Sequence, residues 1–359
     1  WSQAEGEKAL RPSPLLAGIA VESSSASPSL PAAPGAVAAA AAATATALEM
    51  IADSRAPELG AAEEIHGGTG LLAAQAACPA WAFHQYRLGA AVLPAPTLGL
   101  DALARGSLLH AALEAFWVGR GLAELLAMGP ELRAAEIARV VGLALADHER
   151  AAVEPLSPRL RALEARCLAE LLAGWLDLEA TRPPFRVLAR EERHRLDIEG
   201  LPVSVVVDRV DELGDGRLAI IDYKSGRGDR SASWNAERIL EPQLPIYAAL
   251  AFPDREVAAV ALARVTRDEP AFLGVAADEG LLPGVKHLDG QRRRYDAEQF
   301  PDWAALRALW AERLREVARE VKEGTAAVVF RNEADLKYCE VKPLLRLAER
   351  KAQFEEAGE

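Results

Sequence analysis

Residues 203–247 read VSVVVDRVDELGDGRLAIIDYKSGRGDRSASWNAERILEPQLPIY, and the fold turns on this stretch. Val203, Val205 and Val207 recur at every second position up to Asp208, the period of a strand with one buried face. Leu213-Gly214-Asp215-Gly216 has the chemistry of a hairpin turn. A second apolar run, 218–221, delivers Asp222-Tyr223-Lys224. Alternation puts Asp222 and Lys224 on one face of that strand and Tyr223 on the other. Closing the hairpin at its Gly-Asp turn sets Asp208 roughly opposite Asp222, so two carboxylates and one ammonium converge at the open end of a short sheet.

Two carboxylates at that spacing repel each other unless a cation lies between them. Oxygen donors in this number suit Mg²⁺ or Mn²⁺, which bind through one or two carboxylates and complete their shell with water and phosphate. Such an ion polarises a phosphoryl oxygen and acidifies a bound water. A lysine on the same face can place that water or offset charge growing on phosphorus. Asp-x-Lys alone is common on solvated hairpins; the flanking segments give it weight.

VVVDRVDEL, the glycine turn, IIDYKSG and QLPIY together resemble the motifs of the PD-(D/E)XK nuclease superfamily. They are most similar to its RecB/AddB-like branch, in which a Gln-x-x-x-Tyr motif follows the catalytic strand. QAACPAWAFHQYRLGA (75–90) and LDALARGSLLHAALEAFW (100–117) resemble the approach segment and histidine motif of that branch. YCEVKPLLRLAE (338–349) resembles its closing segment. In order and spacing the set is most similar to bacterial DNA repair chains that carry a degenerate helicase-like region ahead of the nuclease. The resemblance covers residues 67–349.

The resemblance implies an α/β fold with a restriction-endonuclease-like αβββαβ core: a mixed central sheet flanked by helices, a large helical insertion before the sheet, and a C-terminal helical segment. It implies Mg²⁺-dependent (or Mn²⁺-dependent) hydrolysis of DNA phosphodiesters leaving a 5′-phosphate. Asp208, Asp222, Lys224 and His110 would be catalytic. His110, Asp208, Asp222 and the backbone carbonyl of Tyr223 would hold the metal, with either Glu191 or Glu192 as a further acid. Gln243, Tyr247 and Arg105 would contact the substrate, or the Gln243–Tyr247 pair would buttress Lys224; a tyrosine at 247 is otherwise a core residue. The partners implied are DNA and a helicase-like region, upstream in the same chain or in a separate subunit.

Many members of that branch join their two ends with a four-cysteine iron–sulfur cluster. Cys78 and Cys339 match two of the ligand positions, but Leu336 and Leu345 stand at the others, so no cluster is expected. Packing of the leucines is the alternative join. Ala80-Trp81 stands where relatives commonly carry Phe-Arg, so an arginine able to touch DNA is absent.

The rest of the 359-residue chain is read outward from this centre. Residues 1–66 are Ser/Pro-rich (23–34) and then alanine-rich (38–43), a linker from an upstream region with one alanine helix. Trp1-Ser2-Gln3 has neither an initiator Met nor a basic stretch, and reads as a boundary within a longer chain rather than a signal peptide. Residues 67–359 form the nuclease domain. Its helical part spans about 67–182, its sheet about 185–276 and its C-terminal helical part about 296–359.

Within the first part a helix starts near Thr69 and carries Pro79, and Pro94 and Pro96 break the chain. Ser107 has N-cap chemistry for the helix holding His110 and Glu114. A helix histidine there is otherwise a half-buried packing residue. The loop 225–235, with Arg227, Arg230 and Trp234, is either placed where DNA would pass the catalytic edge or a solvated loop without contacts. Arg292-Arg293-Arg294 is the densest basic cluster, a phosphate contact or a solvated face.

Hydrophobic residues make up 50% of the chain, ample for a core, while the net charge of −12 argues against a broadly basic nucleic-acid coat. Three widely spaced cysteines make no disulfide framework and fit a reducing cytoplasm. There is no apolar span of membrane length. No glycine-rich phosphate loop follows a strand, which weighs against a third reading, a dehydrogenase or other α/β enzyme, and without a Walker A motif no ATP hydrolysis is expected of this chain. The second functional reading is a non-hydrolytic DNA-binding or scaffolding module of a repair complex.

Overall fold

The fold is that of a computed structural model, which describes residues 4–5, 8–9, 54–60, 63, 65–93, 99–152, 154–226, 228 and 230–356. The expected Ser/Pro linker and alanine helix, Pro94, Pro96 and Arg227 lie outside the described residues. The chain divides into two units, Trp1–Ala52 and Asp53–Glu359. In the first, Ala4–Glu5 pairs antiparallel with Lys8–Ala9. All that follows concerns the second.

Five strands form one sheet in chain order: β1 (Phe185–Ile198), β2 (Leu201–Leu213), β3 (Leu218–Lys224), β4 (Val257–Arg264) and β5 (Ala271–Ala276). The β3–β4 pair is parallel and the others antiparallel. A parallel pair needs a crossover, and Gln243–Ile246 (called α7 below) provides it on one face. This is the mixed, helix-flanked α/β sheet of the restriction-endonuclease-like fold.

The sheet is covered on both faces, which is why β3 and β4 read as continuous apolar runs. Leu218 and Ile220 face a core with Leu244, Leu306 and Trp310; Ala219, Ile221 and Tyr223 face another with Phe116, Leu172 and Trp175. Thr69–Ala77 (α1), α7 and Trp303–Lys322 (α8) supply the first core. The second comes from Ala102–Phe116 (α3), Leu122–Ala127 (α4), Pro130–Ala151 (α5) and Pro158–Glu179 (α6). At the β2–β3 turn the Gly216 amide donates to the Leu213 carbonyl at 2.9 Å, and Gly216 takes φ 86°, where a side chain would be strained. In β5, a Cβ on Gly274 would lie 2.0 Å from the carbonyl oxygen of Val260. Gly274→Ala is therefore expected to cost about 1–3 kcal/mol, seen as a lower denaturation midpoint with an unchanged slope.

Local chemistry moved several boundaries. The first helix does not run through Pro79. It ends at Ala77, Cys78 is extended (φ −161°), and a short helix restarts as α2 (Pro79–Ala82) with proline in its first turn. A residue before proline is pushed out of the α region, whereas proline suits a helix start. The cap of α3 is Asp101, whose carboxylate accepts the Ala104 amide at 2.7 Å; Ser107 lies inside the helix and its hydroxyl donates to the Leu103 carbonyl. The folded unit also begins earlier than composition suggests. Ala56 and Leu59 donate backbone hydrogen bonds to Gly324 and Lys322 at the end of α8.

The C-terminal segment returns to α2. Cys78, Ala80, Leu336, Cys339, Val341 and Leu345 form one buried apolar cluster. All four positions of the cysteine pattern thus meet, with two leucines, both fully buried, filling two of them. Two thiols and two aliphatic chains do not match a four-thiolate centre. Burial holds the Cys339 thiol above its usual range. Among the described residues no helix is long and apolar enough to cross a membrane.

Candidate active site

Strand register brings the acids together. Arg209 pairs with Ile221, so the next rung sets Asp208 beside Asp222. On the other side, Arg190 pairs with Arg209 and Glu192 with Val207, which places Glu191 opposite Asp208. A one-residue shift between Val187 and Ala189 decides this: the earlier register would have put Arg190 there. Glu191 adopts φ 45°, and β2 breaks its alternation at the same rung. Val207 faces the first core, while Arg209 stacks 4.1 Å from the Trp117 ring in the second.

His110, from α3, is the hub. Its Nδ1 lies 3.3 Å from Glu191 Oε1 and 3.4 Å from Asp208 Oδ2, and its Nε2 lies 3.1 Å from the Tyr223 carbonyl oxygen. The Tyr223 amide donates to Asp208 at 2.8 Å. Lys224 Nζ sits 2.7 Å from Asp222 Oδ2, 3.3 Å from Gln243 Oε1 and 3.8 Å from Glu241 Oε1.

The charges here are frustrated. Burial raises the Asp208 carboxyl, the Asp222 charge raises it further, and His110 works the other way. Burial alone would lower the His110 imidazole, but Glu191, Asp208 and Asp222 outweigh it and raise it. For Lys224, Asp222 and Glu241 likewise overcome burial, so it stays an ammonium. Asp222 is fully buried. Its contact with Lys224 is a close ion pair rather than an aligned hydrogen bond, and neither carboxylate oxygen has a well-directed donor among the described residues. A buried carboxylate without donors is costly unless a cation offsets it.

The donor set fits a hard divalent ion. Ligand atoms of His110, Glu191 and Asp208 lie within 4.8 Å of one another, and the Tyr223 carbonyl and donor-poor Asp222 adjoin them. Carboxylates, a carbonyl and one imidazole suit Mg²⁺ or Mn²⁺.

Other candidates lie elsewhere. Glu192 is exposed and points to His194, 3.6 Å away, because only one of two consecutive residues can face Asp208. Arg105 is forked onto Glu164, with Nη2–Oε1 at 2.6 Å, which braces α3 against α6 while 57% of its side chain stays exposed. Tyr247 is buried, and its hydroxyl donates to the Val206 carbonyl, so it fixes β2 and offers no surface to a strand. It opens a π-helical turn, Tyr247–Ala251. Trp234 is buried too, its indole donating to the Glu241 carbonyl at 3.0 Å. Of the arginine cluster, Arg292 holds the Phe300 carbonyl and Arg294 the Ser231 hydroxyl, both structural contacts.

Two features escaped sequence reasoning. One is Glu241, whose pairing with Lys224 depends on the loop's path. The other is a buried quartet behind Tyr223. Arg209 holds Asp211 (Nε–Oδ1, 2.7 Å) and Glu179 (Nη1–Oε1, 2.7 Å), and Arg182 Nη1 reaches the same carboxylates at 2.7 and 2.8 Å. All four side chains are fully buried, and the Arg209 guanidinium also donates to the Tyr223 hydroxyl at 3.1 Å. Arg209 and Asp211, flanking the apolar Val210 in a strand buried on both sides, were the available signal.

A strand hairpin delivering two acids and a lysine to the edge of a mixed sheet, with a helix histidine opposite, is an arrangement whose donors could hold a divalent ion. The sequence model of the PD-(D/E)XK nuclease superfamily matches residues 71–344, and the chain belongs to that superfamily. Over 67 residues it is 40% identical to a subunit of the ATP-dependent helicase/deoxyribonuclease of Streptococcus uberis. That stretch is 18% of this chain and spans only 6% of the relative's length.

Proposed function

We propose that this chain is a divalent-metal-dependent deoxyribonuclease domain that hydrolyses phosphodiester bonds, acting in DNA repair or recombination beside a helicase-like region or subunit. The observation that carries this reading is the fully buried Asp222 carboxylate, lacking aligned donors, beside His110, Glu191 and Asp208. Asp208, Asp222, His110, Glu191 and the Tyr223 carbonyl would hold Mg²⁺ or Mn²⁺, which would supply Lewis acidity toward a phosphoryl oxygen and an acidified water. Lys224, kept charged by Asp222 and Glu241, stands where it can orient the attacking water and offset charge on phosphorus. Gln243 holds Lys224 in place. The Tyr223 amide, which donates to Asp208 at 2.8 Å, holds that carboxylate at the site. Hydrolysis would leave a 5′-phosphate.

Titration calorimetry with Mn²⁺ tests the reading directly. The wild-type protein is expected to bind Mn²⁺ and to cleave DNA only in its presence, and Asp208→Asn is expected to weaken binding at least about ten-fold. DNA binding without Mn²⁺ binding would instead favour the scaffolding module.

A further inference from the structure

The hairpin of β1 and β2 outruns the rest of the sheet. β3 pairs with β2 only over 209–212, so residues 191–208 project past it as a two-stranded ribbon. Ile198, Leu201, Val203, Val205 and Val207 bury one face of that ribbon in the first core. The second core takes only Phe185, Val187 and Leu213 from these strands, which leaves the ribbon's other face uncovered. The ribbon is held in place from behind. Lys322 Nζ donates to the Glu199 carbonyl at its tip at 3.0 Å, and the Tyr247 hydroxyl donates to the Val206 carbonyl.

Arg193 pairs with Val206 and Arg195 with Ser204, and all four lie on the uncovered face because Val203 and Val205 point into the core. Arg193, Arg195 and Ser204 are exposed, and neither arginine makes an ion pair or hydrogen bond among the described residues. Asp197, further out, accepts the Gly200 amide at 2.7 Å. The row starts at the active site: a strand advances about 7 Å in two residues, so Arg193 and Arg195 stand about 7 and 14 Å along the ribbon from the rung of Glu191 and Asp208. One nucleotide of backbone can span each interval. In a chain of net charge −12, unpaired guanidinium groups on an uncovered face single out that face for an anion. A guanidinium forks onto phosphate oxygens, and a serine hydroxyl can donate to another. We propose that Arg193, Ser204 and Arg195 form a track for the two DNA phosphates next in line to the scissile one, gripping the backbone irrespective of base sequence. The proposal rests on the nuclease reading for placing the scissile phosphate at the metal site.

The test is the salt dependence with which the full chain binds a short oligodeoxynucleotide, read by fluorescence anisotropy with Ca²⁺ in place of Mg²⁺. Arg193→Gln and Arg195→Gln should each flatten the plot of log affinity against log salt by about 0.7–0.9, one phosphate contact apiece. Together they should weaken binding at low salt at least about ten-fold. Both residues are exposed, so the variants should melt with the wild type. Arg186→Gln is the control: Arg186 is exposed on the same strand but paired with Glu212 at 2.7 Å, and its loss should leave the slope unchanged. Slopes unaltered in the Arg193 and Arg195 variants, as a seat for an acidic protein segment would give, overturn the proposal. So does an equal flattening by Arg186→Gln, which would reduce the effect to net charge. Mn²⁺ binding and cleavage with unaltered slopes would remove the track and leave the nuclease reading standing. Flattened slopes in a chain that binds no Mn²⁺ would keep the track and remove the nuclease reading.

Discussion

Asp222→Asn will abolish metal-dependent cleavage, by at least about a thousand-fold, without lowering thermal stability. The first half follows from the site: the change removes the charge that Lys224 and a divalent ion share, and metal-stabilised charge at phosphorus accounts for several kcal/mol of barrier. The second half follows from burial. Asp222 is fully buried beside Asp208, whose ionised form its charge disfavours, and neither Asp222 oxygen has an aligned donor. An isosteric amide relieves that repulsion, so the melting temperature of the metal-free variant should equal or exceed that of the wild type. Sites that store unfavourable charge for function often behave so. Lys224→Ala should lose cleavage to a similar degree but also lose stability, because it strands the buried carboxylate. Cleavage persisting in Asp222→Asn would remove this residue from the site, and a large drop in its melting temperature would show that Asp222 is structural.

Arg209→Met will destabilise the fold by about 3–5 kcal/mol. Arg209, Arg182, Glu179 and Asp211 balance as two positive and two negative charges, all with side chains shielded from solvent. Removing one guanidinium leaves two carboxylates to share Arg182, and it also removes the stack on Trp117 and the donor to Tyr223. Combining Arg209→Met with Asp211→Leu restores neutrality and should recover a good part of the loss, since a matched pair is often worth little over apolar packing. Urea denaturation of the two singles and the double measures this. A cost for Arg209→Met below about 1 kcal/mol would mean that solvent reaches the quartet.

Much of this was legible because β3 is short and its signals are local. The apolar run ending in Asp222-Tyr223-Lys224 fixes strand, face and neighbour together, and the Gly turn sets Asp208 against Asp222. The third acid was not legible to that degree. Whether Glu191 or Glu192 faces Asp208 depends on a single-residue bulge near Leu188, and nothing in LAREER marks where a strand will slip. Tyr247 and Arg105 show the complementary difficulty. Their spacing in the sequence is compatible with a substrate contact, but their partners, Val206 and Glu164, come from other elements and only packing reveals them. The boundary of the folded unit was obscured for a similar reason. Residues 54–60 have the polar, proline-containing look of a tether, yet part of their backbone is hydrogen-bonded to the end of α8.

The apolar join between Cys78, Leu336, Cys339 and Leu345 carries a consequence for how the protein matures. Ends held by shape alone ask nothing of a cell's iron supply or its assembly machinery, and peroxide or a chelator has no inorganic core there to dismantle. The join between residues 78–80 and 336–345 should therefore hold through iron starvation and oxidative stress, conditions that a cluster-held join would not survive.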